Sequence, residues 1–218
     1  MNYYDFDNIT IPEINIYAEN HTTEANDILN AVEKMTALNT VNVRMISGKL
    51  VCSILHFLCK MQRPKNALEI GVFTGYSSIA IASALSENAK LISIENNPEY
   101  ENFIIKNIND ANLSHKIDLK IGDAKNIIPS LDNNFDFIYL DADKQSYSYY
   151  YDILIDKLNQ NGLLIADNVL WSGKILEENS SNKDIIALRE FNDKVNADKR
   201  VDNILLPIKD GLMIVRKN

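Results

Sequence analysis

Residues 137–144, "FIYLDADK", place four apolar side chains directly before a group of charged ones. An apolar run that does not alternate with polar residues is typical of a strand buried on both faces, as in a parallel sheet. Asp141, Asp143 and Lys144 follow at once, at the point where such a strand would end. Because ligands of open α/β sheets bind beyond the carboxyl ends of the strands, this stretch predicts a buried strand that leads into a site.

Short apolar runs of the same kind recur along the chain and alternate with stretches of helical periodicity. The runs cover residues 67–70, 91–95, 117–121, 135–141 and 162–167, and the amphipathic stretches include residues 77–85, 98–111 and 147–158. Two further runs, "VDNILLPI" and "LMIVRK", are joined only by "KDG", which is too short for a crossover, so this pair is antiparallel. The chain is therefore predicted to be α/β, with a doubly wound, mostly parallel seven-stranded sheet and a C-terminal antiparallel hairpin.

The segment before Pro64 is predicted to be helical. One helix is expected over residues 22–38, behind Thr22 or Thr23 as its cap, and a second behind Ser47. The apolar stripe of the first helix comprises Ile28, Leu29, Val32, Met35 and Leu38. At 218 residues the chain fits one domain, in which residues 1–63 form an N-terminal helical extension contributing to a substrate site and an interface, and residues 64–218 form the core.

Composition limits the classes of partner. The net charge of −8 and the pI near 4.9 argue against nonspecific binding to phosphate backbones, which requires clustered Lys and Arg, although a local basic patch stays open. No apolar run approaches the roughly 18 residues of a membrane span, and the N-terminus lacks the features of a signal peptide. Cys52 and Cys59 are expected to be unpaired core residues. The sequence predicts a cytoplasmic protein that does not bind membranes.

Polar residues and glycines follow the first three predicted strands. Gly71 and Gly75 follow the first, and their spacing lacks the G-x-G-x-x-G pattern of dinucleotide binders. Glu95 ends the second, where an acidic side chain can accept hydrogen bonds from both hydroxyls of a ribose. Asp123 and Ala124 follow the third, in a loop able to line an adenine edge. Each position alone is compatible with a helix cap or a solvated side chain, whereas three at one sheet edge favour a nucleoside site.

Oxygen-bearing side chains follow the fourth and fifth predicted strands. Asp141 ends one strand, and Asp167 and Asn168 end the next. Adjacent parallel strands would bring these side chains together, and two buried carboxylates without a positive partner would cost several kcal/mol. Oxygen donors without His or Cys suit Mg²⁺, Mn²⁺ or Ca²⁺ rather than zinc. The spacing is equally compatible with Asp141 and Asp167 as helix caps and Lys144 as a surface counter-ion.

Three longer stretches carry a resemblance to a known family. They are "ALEIGVFTGYSSIAIASAL", "FDFIYLDADKQSYSYYYDILIDKL" and "GLLIADNVLWSGKI". They resemble the cation-dependent O-methyltransferases that use S-adenosylmethionine, a group that includes catechol and caffeoyl-CoA O-methyltransferases and small bacterial relatives. The similarity extends from about residue 41 to the C-terminus and is strongest to the bacterial and caffeoyl-CoA branch. The pair "LDADK" and "ADNVLW" is specific to this group.

The resemblance implies a Rossmann-like class I methyltransferase fold and a role for each matching residue. Asp141, Asp167 and Asn168 match positions that bind a divalent metal, usually Mg²⁺. Lys144 matches the proposed general base, and Asp141 is expected to lie beside the reacting oxygen as well as to bind the metal. The positions that match S-adenosylmethionine contacts are Ser47, Glu69, Gly71, Val72, Ser77, Glu95, Ala124 and Asp143.

The implied activity is methyl transfer to a phenolic hydroxyl of a vicinal-dihydroxy, catechol-type small molecule. Lys144 is expected to take the hydroxyl proton, with its pKa lowered by an adjacent metal ion and by partial burial. Trp171 is expected to supply an aromatic wall and Ser172 a substrate contact. Two alternatives stay open, a hydroxyuridine of transfer RNA as the acceptor and a non-catalytic S-adenosylmethionine-binding protein. Because members of the family are commonly dimers, a homodimer formed through the N-terminal helices is expected.

Overall fold

A seven-stranded sheet forms the centre of the computed structural model, which describes residues 9–218. The strands are β1 Asn66–Ile70, β2 Lys90–Glu95, β3 Ile117–Ile121, β4 Phe135–Leu140, β5 Leu158–Asp167, β6 Val201–Leu206 and β7 Leu212–Lys217. Their order across the sheet is β3-β2-β1-β4-β5-β7-β6. The first five strands pair in parallel, while β7 pairs antiparallel with both β5 and β6. The predicted mostly parallel sheet with a C-terminal hairpin is confirmed.

Helices cover both faces of this sheet. They are α1 Pro12–Asn20, α2 Leu29–Asn39, α3 Gly48–Gln62, α4 Tyr76–Ala84, α5 Glu101–Asp110, α6 Ala124–Ser130, α7 Tyr147–Lys157 and α8 Lys183–Ala197. Neighbouring residues of one strand belong to two different apolar clusters: Phe137 packs with residues of α2 to α5, and Ile138 with residues of α6 to α8. Because both faces are covered, the strand is apolar at successive positions rather than at alternate ones.

The first predicted helix begins later than expected. Thr22 lies beyond α1, and its hydroxyl donates to the carbonyl of Ala18 at 2.7 Å, so it does not cap the next helix. Before α2, the side chain of Asn26 accepts a hydrogen bond from the backbone N–H of Ile28. The prediction of a helix from residue 22 was therefore wrong, because Thr22 bonds backwards to the preceding helix. The first eight residues of the predicted extension lie outside the described residues.

The predicted apolar stripe of α2 was also wrong in its second half. Leu29 and Val32 are buried, but Met35 is 37% exposed and Leu38 is 71% exposed. Thr36 is buried in their place, since its hydroxyl donates to the carbonyl of Val32 and pairs with the hydroxyl of Thr74. A polar side chain with both partners satisfied can occupy a core position, and the apolar periodicity alone did not show this.

The strands and α3 otherwise lie close to their predicted places, although Ser47 precedes α3 without a capping bond from its side chain, because its hydroxyl pairs with that of Tyr139. Strand β5 starts at Leu158 rather than 162, and its pairing with β4 shifts register between Phe135 and Phe137.

Cys52 and Cys59 are buried and unpaired, as predicted. Within residues 9–218, every helix is too short or too polar to cross a bilayer.

Backbone hydrogen bonds continue beyond the strand ends and fix the loops that follow. The N–H of Gly71 donates to the carbonyl of Ile94 at 3.0 Å, and the N–H of Asp141 donates to the carbonyl of Ile70 at 2.9 Å. Gly71 and Asp141 are thereby held side by side at the carboxyl edge of the sheet, at the place where the sequence predicts a site.

Candidate active site

A cavity of about 1040 Å³ opens at the carboxyl ends of the central strands. This volume is at the upper end of the range for small-molecule sites. Two of the predicted site residues, Glu69 and Ser172, do not line it. The predicted residues that do line it are Ser47, Gly71, Val72, Ser77, Glu95, Ala124, Asp141, Asp143, Lys144, Asp167, Asn168 and Trp171.

Glu95 links the loop after β1 to the loop after β2 through hydrogen bonds. One carboxylate oxygen accepts from the backbone N–H groups of Val72 and Phe73, at 3.0 and 2.8 Å, and the other accepts from that of Asn97 at 2.8 Å. A carboxylate offers about four acceptor positions, so these three bonds leave about one for a ligand, fewer than the two ribose hydroxyls of the prediction would use. The arrangement is compatible with the predicted contact to a ribose.

Glu69 lies beneath the cavity rather than in its wall. Its carboxylate is fully buried and accepts hydrogen bonds from the hydroxyls of Ser77, Ser78 and Ser93. Burial raises the pKa of Glu69 to about 7, and the hydroxyl bonds oppose that rise. Of these serines, Ser77 lines the cavity, so the structure connects Glu69 to the site through Ser77.

Lys144 joins the residues that follow β4 and β5. Its ammonium donates to Oδ1 of Asp141 and to Oδ1 of Asn168, both at 2.9 Å, and to the hydroxyl of Tyr147 at 2.6 Å. All three ammonium hydrogens are therefore used. Because Lys144 is only 9% exposed, the alternative that it is a surface counter-ion was wrong.

The pKa of Lys144 moves in the direction opposite to the predicted one. Burial lowers it, but the negative charge of Asp141 and the hydrogen bonds to Tyr147 and Asp141 outweigh burial and raise it above the ordinary lysine value. The predicted lowering relied on a neighbouring divalent cation as well as on partial burial; the protein groups alone hold the side chain as an ammonium, and the effect of the cation stays a prediction.

Asp167 is the more buried of the two carboxylates. Its Oδ2 accepts from the hydroxyl of Tyr139 at 2.7 Å, and its Oδ1 accepts from the backbone N–H of Asn168 at 2.8 Å. Burial, followed by the nearby charge of Asp141, raises the pKa of Asp167 to about 7. Neither carboxylate acts as a helix cap: Asp141 pairs with Lys144, and Asp167 bonds to Tyr139 and Asn168.

These residues fit a hard divalent cation. Asp141 pairs with the ammonium of Lys144, whereas the buried Asp167 is bonded to two neutral groups, the hydroxyl of Tyr139 and the N–H of Asn168. Oδ1 of Asp141 and Oδ1 of Asn168 already surround one positive group, the ammonium of Lys144. Within residues 9–218 no three His, Cys, Asp or Glu side chains form a metal-binding group, so a third ligand would be the amide oxygen of Asn168. Such oxygen donors suit Mg²⁺.

Two tyrosine hydroxyls belong to the site although sequence reasoning missed them. The sequence pattern places Tyr139 among the apolar residues of a strand and Tyr147 in an amphipathic stretch, and it assigns neither hydroxyl a role in the site. The hydroxyl of Tyr147 is also 2.9 Å from the backbone carbonyl of Asp167, so it ties Lys144 to the end of β5. A tyrosine within an otherwise aliphatic strand is the signal that could have indicated Tyr139, since a buried hydroxyl requires a partner.

The remaining walls come from segments distant in sequence. Trp171 lines the cavity, as predicted, together with Arg44 and with Lys209 and Asp210 from the turn between β6 and β7. The backbone N–H of Ser172 donates to the carboxylate of Asp210. Sequence spacing gives no signal for Arg44, Lys209 or Asp210, because only the folded chain brings them to the cavity.

Comparisons with known proteins agree with this geometry. The family described as O-methyltransferase matches residues 19–218. "Probable caffeoyl-CoA O-methyltransferase 2" of Dictyostelium discoideum is 33% identical over 207 residues, which cover 92% of this chain and 90% of that protein. "Catechol O-methyltransferase" of Niastella koreensis is 36% identical over 156 residues, which cover 70% of this chain and 71% of that protein.

A solved structure shares this fold. The methyltransferase PaMTH1 of Podospora anserina, solved with SAH bound, superposes with a TM-score of 0.88 at 25% identity and covers 100% of this chain and 99% of that one. The predicted resemblance is confirmed by the family match and by the relatives. The chain therefore belongs to the O-methyltransferase family of S-adenosylmethionine-dependent enzymes.

Proposed function

We propose that this enzyme transfers a methyl group from S-adenosylmethionine to one hydroxyl of a vicinal-dihydroxy aromatic small molecule, and that it requires a divalent cation. The observation that carries the proposal is the cluster of oxygen side chains at the wall of a cavity of about 1040 Å³, where Asp141 and Asn168 accept from the ammonium of Lys144 and the buried Asp167 ends the neighbouring strand. Mg²⁺ is the proposed cation, and Mn²⁺ and Ca²⁺ share its preference for oxygen ligands.

The glycine-rich loop after β1 and the ends of β2 and β4 are proposed to hold the cofactor. S-adenosylmethionine supplies a methyl group on a sulfonium. Glu95 accepts a hydrogen bond from a ribose hydroxyl, while Gly71 and Val72 present backbone to the ligand. The other proposed contacts are Ser47, Ser77, Ala124 and Asp143, which line the same cavity. Glu69 is proposed to act through Ser77, because its carboxylate is already bonded to buried hydroxyls.

Asp141, Asp167 and Asn168 are proposed to hold the cation. When bound, the cation lowers the pKa of an acceptor hydroxyl and fixes two neighbouring oxygens. Lys144 would take the hydroxyl proton at Nζ as the neutral amine, after its ammonium has released one proton to solvent, since this atom lies within 2.9 Å of two of the proposed ligands and so beside the place of reaction. Trp171 forms an aromatic wall for the ring, whereas Ser172 does not line the cavity and is not proposed as a substrate contact.

A panel of acceptors tests the proposed substrate class. We expect labelled methyl from S-adenosylmethionine to reach catechol and caffeate-type diols, because two adjacent oxygens are needed to occupy the cation site. Phenol and 2-methoxyphenol, which lack the second free hydroxyl, serve as matched controls and should accept at least about tenfold less. Equal transfer to the monophenols would contradict a vicinal-diol requirement.

Two further expectations stay predictions. Hydroxyuridine in transfer RNA is the alternative acceptor, and the net charge of −8 does not favour it. Transfer to RNA but to no diol in the same assay would replace the small-molecule proposal. A homodimer through the N-terminal helices is supported by exposed apolar side chains on α2 and α3, among them Leu38, Phe57 and Met61.

A further inference from the structure

Tyr139 lies inside β4, two residues before Asp141, with no part of its side chain exposed. Its hydroxyl is 2.7 Å from Oδ2 of Asp167 and 3.0 Å from Oγ of Ser47. The residue does not line the cavity, so it touches no ligand directly. Any effect on the reaction must therefore pass through Asp167 or Ser47.

The number of available hydrogens decides which group donates in the contact between Tyr139 and Asp167. A tyrosine hydroxyl has one hydrogen, and a carboxylate that holds a cation is ionised and can only accept. Tyr139 therefore donates to Asp167, and the hydroxyl of Ser47 donates to the oxygen of Tyr139. The result is two consecutive hydrogen bonds, from Ser47 to Tyr139 and from Tyr139 to Asp167, which link the start of α3 to the end of β5.

We propose that Tyr139 is a positioning residue that fixes the carboxylate of Asp167 for the divalent cation. This inference rests on the proposed cation site. Asp167 has one oxygen held by the N–H of Asn168 and the other held by Tyr139. A terminal carboxylate torsion is broad, so one bond leaves the group free to rotate, whereas two bonds fix its plane. Hydrogen bonds to metal ligands of this kind change metal affinity by about tenfold to a hundredfold.

The hydroxyls of Ser47 and Tyr139 have unequal roles in this pair of hydrogen bonds. Removing the hydroxyl of Ser47 leaves the bond from Tyr139 to Asp167 in place. Removing the hydroxyl of Tyr139 deletes the bond to Asp167 itself. We therefore expect Tyr139→Phe to weaken cation binding by about tenfold or more, and Ser47→Ala to change it by less than about threefold.

Binding of Mn²⁺ to the full chain, followed by electron paramagnetic resonance without acceptor, gives a readout that does not depend on turnover. The matched control is Tyr151→Phe, because Tyr151 is equally buried and donates to Asp198 at 2.9 Å, among residues that do not line the cavity. The affinity for S-adenosylhomocysteine shows whether the cofactor-binding part of the cavity is intact. It is measured through the fluorescence of Trp171, the single tryptophan. Thermal unfolding identifies variants that fail to fold.

The inference predicts weaker Mn²⁺ binding in Tyr139→Phe only, with S-adenosylhomocysteine affinity unchanged in Tyr139→Phe and Tyr151→Phe; Ser47→Ala removes a proposed cofactor contact and is compared by Mn²⁺ binding alone. Equal Mn²⁺ affinity in Tyr139→Phe and Tyr151→Phe would overturn it while the proposed cation site stands. Loss of both ligands together would also overturn it, since that indicates a general structural role. A wild-type protein that binds no Mn²⁺ would overturn the proposed cation site and this inference with it. Tyr139→Leu repeats the test if the phenylalanine variant does not fold.

Discussion

We expect Lys144→Ala to lower kcat by about a thousandfold while divalent-cation binding is retained. Lys144 is the proposed proton acceptor, and a positioned acid or base contributes about a hundredfold to ten-thousandfold to a rate. The three oxygen ligands proposed for the cation remain in the variant. Because the ammonium contacts Asp141 and Asn168 in wild type, its removal also takes away a competing positive charge.

Methyl transfer and Mn²⁺ binding, measured on the same preparations, separate the two roles. Asp141→Ala is the informative partner variant, since it should lose both turnover and Mn²⁺ affinity. Lys106→Ala is the control: Lys106 is exposed and pairs with Asp110 within α5, and neither residue lines the cavity. Wild-type kcat in Lys144→Ala would remove Lys144 from the chemistry, and full activity in Asp141→Ala would count against the cation site.

Gly71→Ala is expected to destabilise the fold by about 3 to 5 kcal/mol and to lower turnover by about a hundredfold or more. Gly71 has φ of +90°, and a Cβ at this position would lie 1.8 Å from the backbone oxygen of Asp141. Backbone cannot move aside as a flexible side chain can. The strain must therefore shift the end of β4, which carries Asp141, or open the loop after β1.

Gly75→Ala is the matched control for this prediction. It lies in the same loop with φ of +87°, but its nearest neighbour would be a side-chain methyl of Ile104 at 3.7 Å. This variant has the cost of a left-handed backbone without the clash, so we expect a loss of about 1 to 2 kcal/mol. Thermal and denaturant unfolding with methyl-transfer rates compare the pair. Equal stability of the two variants would show that the contact between Gly71 and Asp141 is not what requires a glycine.

Much of the fold follows from local sequence because both faces of the sheet are covered. The run from Phe137 to Leu140 is buried at every position, and that continuous apolar pattern is what predicts a parallel strand. Neighbouring parallel strands end at the same edge of a sheet, so the strand pattern alone is enough to predict that Asp141 and Asp167 lie together. The short link between the last two strands likewise allows only an antiparallel pair.

The features that sequence reasoning missed depend on contacts between distant residues. Thr36 is buried because Thr74 supplies a hydroxyl partner, which no helical periodicity encodes. Glu69 proved to lie below the cavity because three serine hydroxyls bind it there. The hydroxyl of Tyr139 likewise finds its partners across the sheet. Polar partners of this kind are set by tertiary packing and not by spacing along the chain.

The most direct test of the proposed cation-dependent chemistry is transfer of labelled methyl from S-adenosylmethionine to catechol, run with Mg²⁺ and again with excess chelator. We predict transfer with Mg²⁺, a loss of at least about a hundredfold with chelator, and recovery when Mg²⁺ is restored. Binding of S-adenosylhomocysteine should persist throughout, which would separate cation loss from cofactor loss. Undiminished transfer in the presence of chelator would contradict the assignment of Asp141, Asp167 and Asn168 as cation ligands.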